Sequence, residues 1–428
     1  MTTPAGSFPC RFCGTTLVHT VADLGMSPLC ESYVTEEDYG KAEPFYPLHA
    51  MVCHECLLVQ VDEFVPREEI FSEYAYFSSY ADSWVEHARR YCLDMTDRLR
   101  LGPDSRVVEV ASNDGYLLQH FVSLGIPCYG VEPAANVAAV AIAKGVPTEV
   151  TFFGEETARG LVAAGRAADL VVGKNVLAQV PDLNDFVAGL KILMKLRGTL
   201  TIEFPHVLRT IEGNQFDQIY HEHYCYFSLI AVERIFAHHG ITVFDVEEVP
   251  THGGSLRIFG RHADEPDRGE TPRLAAVRAE EQAAGLDRIE TYAAFARKVV
   301  ETKCAILEFL VGAVRDGRSV AAYGAPGKGN TLLNYCGVKR DFIPFTVDRN
   351  PYKQGRYLPG SRIPIFHPDR IRQVKPDFVI IMPWNFRDEI VAQLDFIRGW
   401  GGRFVTFIPR VEVFEPAGAR VAAAVAAE

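Results

Sequence analysis

The sequence lacks any excess of positive charge. Its 428 residues hold 43 Lys and Arg against 55 Asp and Glu, for a formal net charge of −12. A broad nucleic-acid surface needs a basic footprint, so that class of partner is excluded, although a few local cations can still hold a phosphorylated ligand. No run approaches ~18 consecutive apolar residues, so no membrane span is expected. The opening "MTTPAGSFPCRFCG" has no basic stretch leading into an apolar one, so no secretory signal is read there. Without secretion, ten cysteines in a chain this long are expected as thiols and metal ligands in a cytoplasmic protein. Internal repeats are missing too, and low complexity is confined to the alanine-rich end "VAAAVAAE".

What is present falls into blocks. Residues 1–70 hold paired cysteines and little periodicity. From 71 to 265, "RVVEVA", "CYGVEP", "TEVTFF", "ADLVVGKN" and "GTLTIEFP" read as strands, with amphipathic segments at 114–124, 135–144 and 182–195 between them. Such alternation predicts a parallel sheet covered by helices on both faces. "ITVFDVEEVP" and "GGSLRIFGRHA" follow with no room for a helix, which predicts an antiparallel pair. Seven strands with the last reversed match the Rossmann-like layout of a class I methyltransferase. Residues 266–316 form a connector, helical from about 280. A second doubly wound α/β series occupies 317–428.

"CRFC" (Cys10, Cys13) and "CHEC" (Cys53, Cys56) are two Cys-x-x-Cys turns. Each presents two sulfurs from one tight turn, and two such turns close a tetrahedron around Zn²⁺. Four thiolates leave no open position for substrate or water, so the metal is expected to be structural.

The loop after the first strand of the central block, "VVEVASNDGYLL", has only Gly115 where a dinucleotide fold needs three glycines. S-adenosylmethionine needs no phosphate cradle. Glu109 ends strand 1 and suits the methionine ammonium. Glu132 ends strand 2 and suits the ribose hydroxyls, while Asn175 follows strand 4 beside the expected methyl donor. Ser112, Asn113, Asp114 and Gly115 line the same loop. In the last block, "YGAPGKGNTLLNY" is a strand, a glycine-rich turn and a helix start. Its spacing is not that of a Walker loop, but its backbone N–H groups and Lys328 suit a pyrophosphate.

"IYHEHYCYFSL" (219–229) follows strand 5, at the sheet edge where open α/β folds bind ligands. Its histidines suit a base, a metal site or a polar loop. If the segment is extended, His221 and His223 share one side while Tyr220, Glu222 and Tyr224 share the other.

Taken in order, "CRFC…CHEC", "EYAYFSSYADSWVEH", "VEVASNDGYLL", "GVEP", "NVLAQVPD", "IEFPH", "FDQIYHEHYCYFSL", "THGGSLRIF", "YGAPGKGNTLLNYCG" and "DRNPYKQGRYLPGSRIPI" resemble the sugar C-methyltransferases of deoxysugar and antibiotic pathways. The tetronitrose, mycarose and noviose types are the relatives meant. The resemblance spans residues 10 to 412. It implies a zinc-bearing N-terminal domain, a central S-adenosylmethionine domain and a C-terminal domain for a nucleotide sugar. The implied substrate is a TDP-4-keto-6-deoxysugar methylated beside the ketone, most simply at C-3′. By the same resemblance His223 is the base, with Glu222 and Tyr220 orienting it or touching the sugar, and Tyr76 a further active-site tyrosine. Tyr74 and His252 would approach the sugar, and Ala325, Lys328, Gly329, Asn330, Lys353 and Asn385 would form the sugar-nucleotide pocket. Two positions depart from the family pattern. Ala111 stands for a glycine in the strand 1 loop, and Gln179 stands for a histidine in "NVLAQVPD", so that position cannot titrate. The competing expectations are C-5′, O- or N-methylation of a related sugar, or a zinc-bearing adaptor that binds nucleotides without catalysis. The oligomeric state is left open, a monomer being compatible.

Overall fold

The computed structural model describes residues 8–72, 77–80, 82–265 and 268–415. Tyr74 and Tyr76 lie outside the described residues. The chain forms two compact units: Met1–Gly25, Pro47–Gly213 and Ile219–Arg297 make the first, and Met26–Tyr46, Asn214–Gln218 and Lys298–Glu428 the second. Met26–Tyr46, inside the first block of the sequence, thus belongs with the last.

The strands lying wholly or mostly in the first unit are β1 (His19–Ser27), β2 (Tyr46–Val52), β3 (Val59–Gln60), β4 (Val107–Val110), β5 (Cys128–Val131), β6 (Thr148–Glu149), β7 (Ala168–Lys174), β8 (Met194–Pro205), β9 (Cys225–Tyr226), β10 (Ile241–Val249) and β11 (Ser255–His262). Seven of them make one sheet in the order β10-β11-β8-β7-β4-β5-β6. β4 to β8 run parallel, and β11 runs antiparallel to both β8 and β10. All four residues of β4 are buried, as a central parallel strand covered on both faces requires. The helices Leu118–Ser123, Ala135–Ala143 and Leu183–Leu193 fall within the three amphipathic segments. The first starts late because Ala111, Asn113 and Gly115 all have positive φ, which helices do not accept.

A smaller sheet has the order β1-β2-β3-β9. Its last strand comes from the histidine-rich segment, more than a hundred residues later in the chain. Phe8, Cys10, Leu17 and Leu58 of this part share one hydrophobic core with Val108, Val171 and Leu190 of the large sheet. The cysteine-bearing part is therefore built onto the large sheet rather than hung from it.

The expected helical connector is two helices, Pro272–Ala283 and Ile289–Arg315, broken at Gly285, whose φ of +78° favours a residue without a Cβ. The second unit has β12 (Val320–Tyr323), β13 (Thr346–Val347), β14 (Ile365–Phe366), β15 (Phe378–Ile381), β16 (Arg403–Thr406) and β17 (Glu412–Phe414), ordered β14-β13-β12-β15-β16-β17. All pairs are parallel except β16 with β17. Its own core gathers Ala321, Val347, Val379, Ile397 and Phe404. Among the described residues, no helix is long and apolar enough to cross a membrane.

Candidate functional site

The sulfurs of Cys10, Cys13, Cys53 and Cys56 all lie within 4.8 Å of one another. Cys10 and Cys56 are 3.5 Å apart, as are Cys13 and Cys53, close to the ~3.8 Å edge of a tetrahedron with ~2.3 Å Zn–S bonds. The two turns are built alike. The N–H of Gly14 donates to Cys10 O and that of Leu57 to Cys53 O, while Cys10 and Cys53 donate their own N–H groups to Thr15 O and Leu58 O. Gly14 and Leu57 both sit left-handed, at φ +75° and +65°. Gln60 adds an N–H to Cys10 Sγ at 3.2 Å, the kind of donor a thiolate takes. The donor set fits Zn²⁺.

In the seven-stranded sheet, the loop after β4 gathers carboxylates. Glu109 is fully buried, and neither carboxylate oxygen has a partner among the described residues. Burial pushes its pKa well up, with Lys174 opposing. Asp114 Oδ1 and Ser112 Oγ are likewise buried without partners among the described residues. Glu132 accepts the N–H groups of Asn113 and Ala134, each at 2.9 Å, so it braces the loop from strand 2. Ala111 holds φ +56°, a conformation cheapest for glycine, and so keeps the loop's shape with a methyl group. Asn175 follows β7 at φ +56°, and its amide Nδ2 donates to His252 Nε2 at 2.8 Å. The unpartnered Glu109 carboxylate and the Oδ1 of Asp114, whose other oxygen takes Ser79 and Lys144, fit a ligand that carries a cation, as S-adenosylmethionine does.

Beside them lies a buried charge network that the motifs did not announce. Glu203 on β8 accepts from Lys174 at 3.0 Å, from Arg257 at 3.0 Å and from Thr251 at 3.1 Å, with His87 Nε2 at 3.2 Å. Burial alone would raise its pKa, but Lys174, His87 and Arg257 hold the carboxylate well below the usual range. The sequence signal was present: "VVGKN", "TIEFP" and "SLRIF" each carry one charged residue in an apolar strand. Trp84 stacks on His87 at 5.1 Å and meets the edge of His252 at 5.4 Å.

The histidine-rich segment is not extended. It turns, with the His223 N–H donating to Tyr220 O at 2.9 Å. Tyr220 and His223 therefore face each other, with Tyr220 Oη 3.1 Å from His223 Nε2 and ring centroids 4.2 Å apart. His221 Nε2 donates to Pro47 O at 3.1 Å, and Glu222 is buried. After the turn, β9 pairs with β3. Gln179 lies half-buried in a short turn, its N–H on Val176 O.

In the second unit, the loop after β12 enters the ten-residue helix Gly327–Cys336. Lys328 donates to Asn385 Oδ1 at 3.0 Å and sits 4.7 Å from the Trp384 ring centroid. Trp384 Nε1 donates to Asp217 Oδ2 at 2.8 Å. Ala325 O accepts from Lys353 Nζ at 2.8 Å and from the Tyr33 hydroxyl, and Lys353 also lies 3.5 Å from Glu31. Asn330 Nδ2 donates to Cys30 O at 2.6 Å. A Cβ on Gly327 would meet Cys30 Sγ at 2.8 Å, and one on Gly329 would meet Met382 at 2.9 Å. Lys328 and Asn385 thus stand together at the helix start, whereas Lys353 and Asn330 also secure the loop.

Three family models match the chain: "Putative zinc binding domain" over residues 10–71, "Methyltransferase domain" over 84–246 and "C-methyltransferase C-terminal domain" over 250–409. C-methyltransferase NovU of Streptomyces niveus is 35% identical over 405 residues, covering 94% of this chain and 96% of that protein. Solved structures similar to this chain include an S-adenosylmethionine-dependent methyltransferase from Clostridium acetobutylicum, 9% identical over 42% of this chain and 92% of that one, with a TM-score of 0.34. Magnesium protoporphyrin IX methyltransferase of Synechocystis is 14% identical over 42% and 77%, with a TM-score of 0.31.

Proposed function

This chain belongs to the sugar C-methyltransferase family, and on that premise we propose that His223 takes the α-proton of a TDP-4-keto-6-deoxysugar and that C-3′ receives the methyl group. The protein is an S-adenosylmethionine-dependent methyltransferase with a four-cysteine zinc site. When bound, S-adenosylmethionine supplies an electrophilic methyl group. Glu109, Ser112, Asn113, Asp114, Gly115, Glu132 and Asn175 would hold it. The nucleotide diphosphate of the acceptor would lie on Lys328, Gly329, Asn330 and Asn385, with Ala325 and Lys353 shaping the loop.

The observation that carries the reading is the Tyr220–His223 pair, an imidazole held against a phenol in the same unit as the unpartnered Glu109 carboxylate. Tyr220 selects which ring nitrogen keeps its lone pair, because its oxygen and His223 Nε2 share one hydrogen. An imidazole with pKa near ~6.5 cannot hold a ketone enolate unaided, so the oxyanion needs a donor from Tyr76, Tyr74 or His252.

Incubation of the enzyme with substrate in D₂O tests this. Carbon methylation requires that an α-hydrogen be lost or exchanged. Methylated product that keeps all its α-hydrogens would place the methyl on oxygen or nitrogen and end the proposal.

A further inference from the structure

Arg11 stands beside Phe12 between the two cysteines of the first zinc turn. Its side chain is 11% exposed. One guanidinium nitrogen donates to Val61 O at 3.0 Å and the other to Pro181 O at 3.4 Å. The same group lies 4.9 Å from the Tyr224 ring centroid and 3.6 Å from Glu63. Pro181 follows Gln179 by two residues, and Tyr224 follows His223 directly. Around this fork the backbone is knit as well. Arg11 N–H donates to Gln60 Oε1, and Asn184 Nδ2 donates to Phe12 O at 3.0 Å. Gln60 pairs with Cys225 across β3 and β9, and Val61 N–H donates to Tyr224 O at 3.0 Å.

A buried guanidinium is a poor choice for stability alone, since an apolar side chain of similar length packs as well without losing hydration. Its use is geometry, because the planar fork fixes two acceptors and a ring face at once. We propose that Arg11 is a positioning residue, holding the His223 turn and the Gln179 loop in register with the zinc turn, so that an intact metal site sets the geometry of α-proton removal. This rests on the reading of His223 as the base.

The test uses Arg11→Met in the full chain, with Arg11→Lys as a milder variant and His223→Asn as the control. Four quantities are read: zinc per chain by mass spectrometry, S-adenosylmethionine affinity by calorimetry, kcat with KM, and exchange of the substrate α-hydrogen into D₂O without S-adenosylmethionine. In that exchange the base removes the proton, the electron pair rests in the enolate, and a deuteron from solvent returns to carbon. Arg11→Met should keep one zinc per chain and bind S-adenosylmethionine within about twofold, while kcat and exchange fall together by about 100-fold at near-constant KM, as a small misplacement of a base does. Arg11→Lys keeps the charge without the fork and should lose about tenfold. Exchange and kcat within about threefold of the parent in Arg11→Lys and Arg11→Met overturn the proposal. So does parallel loss of zinc, S-adenosylmethionine binding and exchange in both variants, which marks a role in stability alone. Exchange that persists in His223→Asn removes the base assignment beneath it and overturns both.

Discussion

The two strand-to-helix loops at β4 and β12 occupy the same place in two similar folds and carry opposite charge. The loop after β4 buries carboxylates: Glu109 is fully enclosed, Asp114 Oδ1 has no partner among the described residues, and Glu132 braces the turn. The loop after β12 offers cations and a helix start, with Lys328 beside Trp384 and Asn385. Their backbones differ in the same sense. The first loop holds Ala111, Asn113 and Gly115 at positive φ, two of the three without glycine, whereas in the second a Cβ on Gly327 or Gly329 would strike Cys30 or Met382. On the proposed function, one topology serves a cationic ligand and an anionic one, and the choice lies in a handful of side chains at the strand ends.

The largest effect expected is loss of chemistry with both ligands still bound. His223→Asn should lower kcat by about 10³-fold, within the span that a general base supplies. Equilibrium binding of S-adenosylmethionine and of TDP-glucose should match the parent. A variant retaining a tenth of the parent turnover would remove His223 from the reaction. Next in size is Glu109→Gln, which keeps shape and removes charge. A charge-assisted bond worth about 1.5–3 kcal/mol corresponds to a loss of about 10- to 150-fold in S-adenosylmethionine affinity. Calorimetry should show TDP-glucose unaffected. Lys328→Met is the mirror image. It should weaken TDP-glucose by about tenfold and flatten its salt dependence, with S-adenosylmethionine unchanged. If either substitution moved both ligands equally, the two loops would not be separate sites.

Much of this was legible in the sequence, for identifiable reasons. Parallel strands buried on both faces read as apolar runs, so "RVVEVA", "ADLVVGKN" and "GTLTIEFP" announced the large sheet. Two Cys-x-x-Cys turns announced the zinc site because the ligand spacing is local. What could not be read is what long-range pairing decides. Nothing local says that Cys225–Tyr226 completes the sheet of the zinc part, or that Met26–Tyr46 belongs to the second unit. The 219–229 segment was read for strand alternation, but a turn brings Tyr220 onto His223 because residues three apart meet when the chain folds back. Lys174, Glu203 and Arg257 were hidden for another reason. Each looks like a stray charge alone, and only strands adjacent in space make them a network.

The smallest effect is the sharpest on the comparison, because the two loops should answer pH with opposite signs. Burial raises the pKa of Glu109, and pairing with an ammonium requires the ionised carboxylate, so a lower pH works against the pair. S-adenosylmethionine affinity should therefore rise as pH rises. In the second unit Asp217 is fully buried, and burial pushes its pKa up to about 6, against the opposing pull of Lys328 and the Trp384 N–H. Below that value Asp217 is neutral and Lys328 is left to an anion. Above it, Asp217 becomes the counter-ion of Lys328 and competes with a diphosphate. TDP-glucose affinity should therefore fall, by about threefold, between pH 5.5 and 7.5, a range in which its diphosphate does not titrate. Asp217→Asn keeps an acceptor for Trp384 and should flatten that fall while leaving the S-adenosylmethionine profile as it was. Profiles of the same sign for both ligands would mean that the two loops do not differ in charge as their residues indicate.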